Sequence, residues 1–418
     1  MMLKITVENA IQYKDKFDSL LDEANHHLAD LFQSTDSYTD SKGWVNLNEH
    51  ASQEKLDRII SKAQEIREQA DAFVLIGVGG SNNAARSVIE SIGDKSGTQI
   101  IYAGDTLHPQ KIQETINKLE DKSFYIDCIA KNFETLEPGS GFRVLRKLCE
   151  RTYGDEYARR VITTGTVDSL LHKISRQEGF DFFDFPLNVG GRFTAMTNVG
   201  LLPMAVANVD IKALVKGAEE MKRSLIESPP SENPALIYSI HRNIFYGLNR
   251  KLEILSSFDY RFNFFFKWWR QLFAESEGKD GKGIFPVTGE FSEELHSIGQ
   301  FLQDGEPIIF ETFLEVINKN ESYKVPKDHI HDQFDYLDGK DFSEINRMAY
   351  EATVEAHKLS MPVMNIQIDS LDAYHFGQLF YFFQVACYVS CKLMGVNPFN
   401  QPGVESYKKE MFRKLGKL

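Results

Sequence analysis

Residues 72–92 read AFVLIGVGGSNNAARSVIESI. The apolar run Ala72–Ile76 does not alternate with polar residues, which is the pattern of a parallel strand buried on both faces. Gly77, Gly79 and Gly80 break the run, and from Ser81 apolar residues return at helical spacing. A strand, a glycine-rich turn and a helix in that order make one unit of an α/β layer fold.

The unit recurs on either side of this stretch. QIIYAG, SFYIDCIAK and RRVITTG are further short strand candidates with helical sequence between them. Upstream, SLLDEANHHLADLF and KLDRIISKAQEIREQA have the spacing of amphipathic helices. Downstream, FNFFFKWWRQLFAES reads as a long apolar helix, and GIFPVTGEF, EPIIFETFLEV and MPVMNIQI read as strands. The expected organisation is an N-terminal helical segment (1–43), a first α/β domain (44–200), and a second α/β domain with C-terminal helices (201–418). The two units are similar in size, but no repeat between them is visible in the sequence.

Bulk properties narrow the class. A chain of 418 residues is too long for one core. Its net charge of −13 argues against nucleic acid or anionic membrane as main partner, since both need a basic face. Phe376 to Cys391 is a long uncharged stretch; it is shorter than a membrane span and contains Gln378, Gln384 and Ser390, so a buried core helix is expected. Four cysteines without a CxxC pair or zinc-finger spacing fit free thiols in a reducing cytoplasm. The N-terminus lacks the apolar core and cleavage site of a signal peptide.

Six places could carry chemistry. Gly79, Gly80 and Ser81 follow a buried strand, where backbone N–H groups and a helix N-terminus attract an anion. Ser81 is placed to cap that helix and to donate its hydroxyl to phosphate. The turn is not a dinucleotide fingerprint, because Asn82 stands where the third glycine is required, and no Walker lysine follows. Lys131, Asn132 and Thr135 lie at a second strand end, where ligands collect in open α/β sheets. Gly190 and Gly191 precede Arg192, whose planar cation suits a developing oxyanion. Glu275 ends the apolar helix that also carries Gln271, and a carboxylate beside so much apolar surface is a candidate base. His296 sits on a half-apolar segment, and Gln401 and Lys408 belong to a turn and a basic helix near the C-terminus. Taken singly, each also reads as a tight turn, an ordinary loop, a structural ion pair, a solvated carboxylate, a packed histidine or a solvated basic face.

Their order and spacing are more specific. GVGGS, VGGRF, GLLPMAVANVDI, WWRQLFAESEGKDGKGIFP, LHSIGQFLQDG and GVNPFNQPGVESYKKEMF occur in that sequence, and the chain thereby resembles the glucose-6-phosphate isomerase family in its short bacterial form. The resemblance implies two α-β-α sandwich domains of the sugar-isomerase (SIS) type with parallel sheets, a homodimer with shared active sites, a sugar-phosphate substrate, and neither metal nor organic cofactor. It implies Glu275 as the base, Arg192 beside a cis-enediolate, and His296 and Lys408 in ring opening, the histidine coming from the neighbouring subunit. Gln271 and Gln401 would touch the sugar. Gly79, Gly80, Ser81, Lys131, Asn132 and Thr135 would hold the phosphate. One departure is notable: Ala130 and Glu134 replace hydroxyl residues of the family's second phosphate loop, and a carboxylate facing phosphate would repel it. Two other readings stay open here, an isomerase of another phosphorylated or substituted hexose and a non-catalytic SIS-type regulatory protein.

Overall fold

The computed structural model describes residues 3–319 and 321–417. Its strands are β1 (Lys4–Val7), β2 (Ala72–Ile76), β3 (Gln99–Ala103), β4 (Phe124–Ala130), β5 (Val161–Gly165), β6 (Asp181–Asp184), β7 (Leu252–Ser257), β8 (Phe285–Glu290), β9 (Ile309–Val316) and β10 (Val363–Ile368). They form two sheets. The first runs β3-β2-β4-β5-β6 and is entirely parallel. The second, read from its far edge, runs β8-β7-β9-β10-β1. It is parallel except for β1, which pairs antiparallel with β10. The first four positions of each sheet are therefore filled in the same chain order, a likeness that the residues themselves do not display.

The two-sheet α/β architecture agrees with the expectation, and β2 and β4 are buried along their whole length, as continuous apolar runs require. Three strands depart from the sequence reading. The central strand β7, Leu-Glu-Ile-Leu-Ser-Ser, has no counterpart among the expected strands, because Glu253, Ser256 and Ser257 interrupt its apolar run. β1 lies in a segment expected to be helical only, and β6, Asp-Phe-Phe-Asp, has no counterpart among the expected strands. Both are four-residue edge strands with exposed or half-buried positions, so neither has the apolar run that marks a central strand.

The main core lies between the two sheets. It is filled by the helices Gln53–Gln69, Asn198–Val206, Ile211–Glu227, Pro234–Gly247, Asn263–Glu277 and Ala373–Met394, whose apolar residues form one continuous cluster. Smaller clusters cover the outer face of each sheet. Helix 373–394 contains the uncharged stretch and is buried along nearly its whole length. Among the described residues, no helix is long and apolar enough to cross a membrane. Helix 373–394 crosses helix 211–227 where Gly377 and Gly217 meet. A Cβ at either glycine would lie 1.9 Å from a carbonyl oxygen of the other helix, so the crossing depends on both.

One ion network sits inside this core. Arg242 donates from Nε to Glu253 (3.0 Å) and from both Nη atoms to Glu277 (3.0 and 3.1 Å). Tyr238 and Thr312 donate to Glu253, and Ser390 donates to Glu277. Burial alone pushes both carboxyl groups up, and the guanidinium opposes it. Because Glu277 closes helix 263–277, this network fixes the helix's last turn.

A second close approach joins two turns of the first half. The turn Gly79–Ser81 meets the turn Gly191–Met196, and a Cβ on Gly80 would lie 2.2 Å from the Gly191 carbonyl carbon. Thr194 Oγ1 donates to the Gly80 carbonyl at 2.9 Å and locks the contact.

Arg242→Met leaves two buried carboxylates without their cation and should cost about 3–5 kcal/mol, read as a lowered denaturant midpoint. An unchanged midpoint would show that the network carries no stability. Gly80→Ala should cost about 1–3 kcal/mol, because two backbones rather than a side chain must move; a thermal melt matching the parent would contradict the contact.

Candidate active site

The turns after β2 and β4 diverge to opposite sides of the first sheet's switch point, the place where open α/β sheets bind ligands. A cavity of about 430 Å³ lies there. Ser81 and Gly80 come from the first turn, Lys131, Asn132 and Thr135 from the second, and Gln271, Glu275 and Gln401 from the second half of the chain.

Helix Asn263–Glu277 explains why a base can stand here. Phe265, Phe266, Trp268, Trp269, Leu272 and Phe273 are buried in the core. That leaves Gln271 and Glu275, four residues apart and so on one face, turned toward the cavity. The Glu275 side chain is 32% exposed. Its Oε1 accepts from Gln271 Nε2 (3.0 Å), and its Oε2 accepts from Gln401 Nε2 (3.0 Å) and Arg192 Nη1 (3.2 Å). Asn83 Nδ2 donates to Gln271 Oε1 at 2.8 Å, which fixes which end of that amide faces the carboxylate.

Arg192 lies beneath this carboxylate and is 1% exposed. Nε donates to Ser276 Oγ (2.8 Å), and Nη2 donates to the carbonyls of Pro398 (2.6 Å) and Phe399 (3.1 Å). Trp268 Nε1 donates to the Arg192 carbonyl at 3.2 Å. Burial works against the charge and the adjacent Glu275 supports it; a guanidinium nonetheless stays protonated. Of its five N–H donors, four have these partners and one on Nη1 remains.

The opposite end of the cavity is built for an anion. Lys131 Nζ donates to the Leu187 (2.7 Å) and Val189 (2.8 Å) carbonyls, which leaves one of three ammonium donors. Burial holds its pKa below the usual lysine value. Thr135 precedes helix Leu136–Tyr153 and makes no side-chain cap bond, so the helix's positive end and a hydroxyl face the same space.

Several expectations need amendment. Ser81 lines the cavity but does not cap the next helix; it lies in a 3₁₀ turn, and that helix starts at Asn83 after Asn82, whose Nδ2 donates to the Gly77 carbonyl at 2.7 Å. Gly79 packs on the Gln271 amide rather than lining the cavity. Glu134 does not face the anion end: its side chain is 73% exposed and lies 3.7 Å from Lys417 Nζ. His296 is exposed in the turn Glu293–His296, and Lys408 pairs with Glu405 on the exposed helix Glu405–Lys414; within one chain neither lines the cavity. The sequence reading does not single out Asp40, Ser41 and Asn188, which line the cavity, or Asn83 and Ser276, which orient Gln271 and Arg192. Only Asn83 and Ser276 carry a signal, through adjacency to the glycine turn and to Glu275.

Comparison with known proteins identifies the family. The phosphoglucose isomerase family model matches residues 54–417. A glucose-6-phosphate isomerase of Bacillus cytotoxicus is 38% identical over 409 residues, covering 94% of this chain and 90% of the relative. In fold, a crystal structure of a hypothetical protein from Thermus thermophilus superposes with a TM-score of 0.92 at 24% identity, over 99% of this chain and 100% of that one. A glucose-6-phosphate isomerase from Chlamydia trachomatis superposes with a TM-score of 0.81 at 17% identity, over 96% and 85%. With the family model spanning nearly the whole chain and a relative 38% identical over 94% of it, the chain belongs to the phosphoglucose isomerase family.

Proposed function

We propose that the chain interconverts D-glucose 6-phosphate and D-fructose 6-phosphate through a cis-enediolate, with Glu275 as the base. The observation that carries this reading is the carboxylate of Glu275, held over a buried guanidinium at one end of a cavity whose other end offers Ser81, Lys131, Thr135 and a helix N-terminus. A proton beside a carbonyl is weakly acidic, so its removal needs a positioned base and stabilisation of the oxygen that gains charge.

In this mechanism the open-chain sugar lies along the cavity with its phosphate at the Lys131 end. Glu275 takes the proton from C2 of the aldose, and electrons move through C1 to the carbonyl oxygen, giving the enediolate. The free N–H of Arg192 and its charge stabilise that oxygen. A proton then passes from the C2 hydroxyl to the C1 oxygen, Glu275 returns its own proton to C1, and the C2 carbonyl of the ketose forms. Gln271 and Gln401 orient the carboxylate and contact the hydroxyls. His296 and Lys408 open the ring; His296 reaches the site from a second copy of the chain in a homodimer, and Lys408 is carried on the helix that follows Gln401. The outward position of Glu134 removes the one feature of the second loop that would repel phosphate. The reaction belongs to glycolysis and gluconeogenesis in the cytoplasm.

Glu275→Gln keeps the hydrogen-bonding shape but cannot take a proton. In a coupled assay with fructose 6-phosphate its kcat should fall about 10²–10⁴-fold with little change in KM. Wild-type kcat in that variant would end the proposal. Lys131→Met should instead raise KM about 10-fold or more, because a charge-assisted contact to phosphate is lost; a lowered kcat with unchanged KM would contradict its assignment to the phosphate.

A further inference from the structure

Three cations hold the backbone that brings Gln401 to Glu275. Lys282 Nζ donates to the Met394 carbonyl (2.8 Å), where helix 373–394 ends. Lys279 Nζ donates to the Asn397 carbonyl (2.5 Å) and to the Ser276 carbonyl (2.7 Å). Arg192 Nη2 takes the next two carbonyls, Pro398 and Phe399. Of the three, Lys279 alone bridges this loop directly to the backbone of the helix turn that carries Glu275. It does not line the cavity.

We propose that Lys279 is a positioning residue for the isomerase: its ammonium ties the loop 397–401 to the end of the helix bearing Glu275, so that the Gln401 amide is held on the base. This rests on the reading of Glu275 as the base. The geometry makes the tie depend on charge, because an ammonium gives stronger bonds to carbonyls than a neutral amine does. The surroundings bring the loss of that charge close to neutral pH. Burial, and then the nearby Arg192 cation, lower the Lys279 pKa to about 8. The other titratable groups that face it are the thiols of Cys391 and Cys387 on helix 373–394 and the carboxylate of Glu275, whose negative charge favours the ammonium. Burial and the Cys387 contact push the Cys391 thiol up, so it stays neutral while Lys279 titrates. The tie is therefore intact below pH 8 and weakens as the pH rises through that value. Gln401 should then leave Glu275, and turnover should fall.

The test compares wild type, Lys279→Met, Lys279→Arg and Glu275→Gln as full-length proteins with fructose 6-phosphate across roughly two pH units centred on the Lys279 pKa of about 8, together with amide hydrogen exchange in residues 396–404. Lys279→Met should lower kcat about 10-fold or more, as displacement of a positioning group does, with a smaller change in KM and faster exchange in the loop. Lys279→Arg, charged throughout, should restore kcat near neutral pH and carry it into the alkaline range, where wild-type turnover declines. A Lys279→Met enzyme with wild-type kcat and loop exchange, or a Lys279→Arg enzyme with the wild-type alkaline decline, overturns the proposal. If Lys279→Met does not fold, the comparison of wild type with Lys279→Arg decides alone. Glu275→Gln separates the two readings. If it is inactive while Lys279→Met is fully active, only the Lys279 role fails; if it retains wild-type kcat, the mechanism fails and the positioning role with it.

Discussion

The Arg192 guanidinium is the joint on which the site depends. It extends from a turn between the two halves, lies on the helix end formed by Glu275 and Ser276, and binds the carbonyls of a loop 206 and 207 positions later in the chain. A buried cation costs several kcal/mol unless its donors are satisfied. Here four of five are satisfied by groups that belong to two distant segments, so the charge can be buried only when those segments and its own turn are assembled. The same assembly aligns Glu275, Gln271 and Gln401. Two other ion contacts reinforce it from behind: Arg242 fixes Glu277 at the end of the helix, and Lys279 fixes the loop. The direct partners of the proposed catalytic carboxylate are thus backed by two groups, Arg242 and Lys279, that do not line the cavity.

The second sheet offers an instructive contrast. It repeats the strand order of the first, and it too has a crevice beyond its switch point, about 370 Å³ in volume. The turn after β7, however, is Phe258-Asp259-Tyr260-Arg261 instead of a run of glycines. Arg261 is held there by Asp259 at 2.7 Å and by Glu321 at 2.8 Å. Backbone N–H groups exposed by glycine in one crevice are replaced by a self-neutralising ion pair in the other. Topology supplies both crevices, but their side-chain chemistry differs.

Much of this is legible in the sequence because it is local. Most buried parallel strands announce themselves as apolar runs, although β7, with Glu253 inside it, does not, and the spacing of Gln271 and Glu275 against the aromatic residues places them on the free face of a helix. The assignment of Glu275, Arg192 and Gln401 to one site comes from the family resemblance and not from spacing, since nothing local links Arg192 to Pro398. The edge strands β1 and β6 are not legible, because a short, half-exposed strand is specified by its neighbour and not by its own composition. The direction of Glu134 is not legible either: it depends on a cation, Lys417, near the far end of the chain. The same limit applies to His296 and Lys408, whose positions outside the cavity follow from the packing of distant elements.

The antiparallel pairing of β1 with β10 has a temporal consequence. Ile5 faces Ile366 in that ladder, so almost the entire polypeptide separates the two partners. At ribosomal speeds of about 5–20 residues per second, β1 waits on the order of tens of seconds for its mate. During that interval the first sheet, whose strands all lie between residues 72 and 184, has every partner it needs, whereas the second remains open at the edge that β1 will cover. The second sheet can therefore be completed only once β10 is made, long after the first sheet holds all its strands.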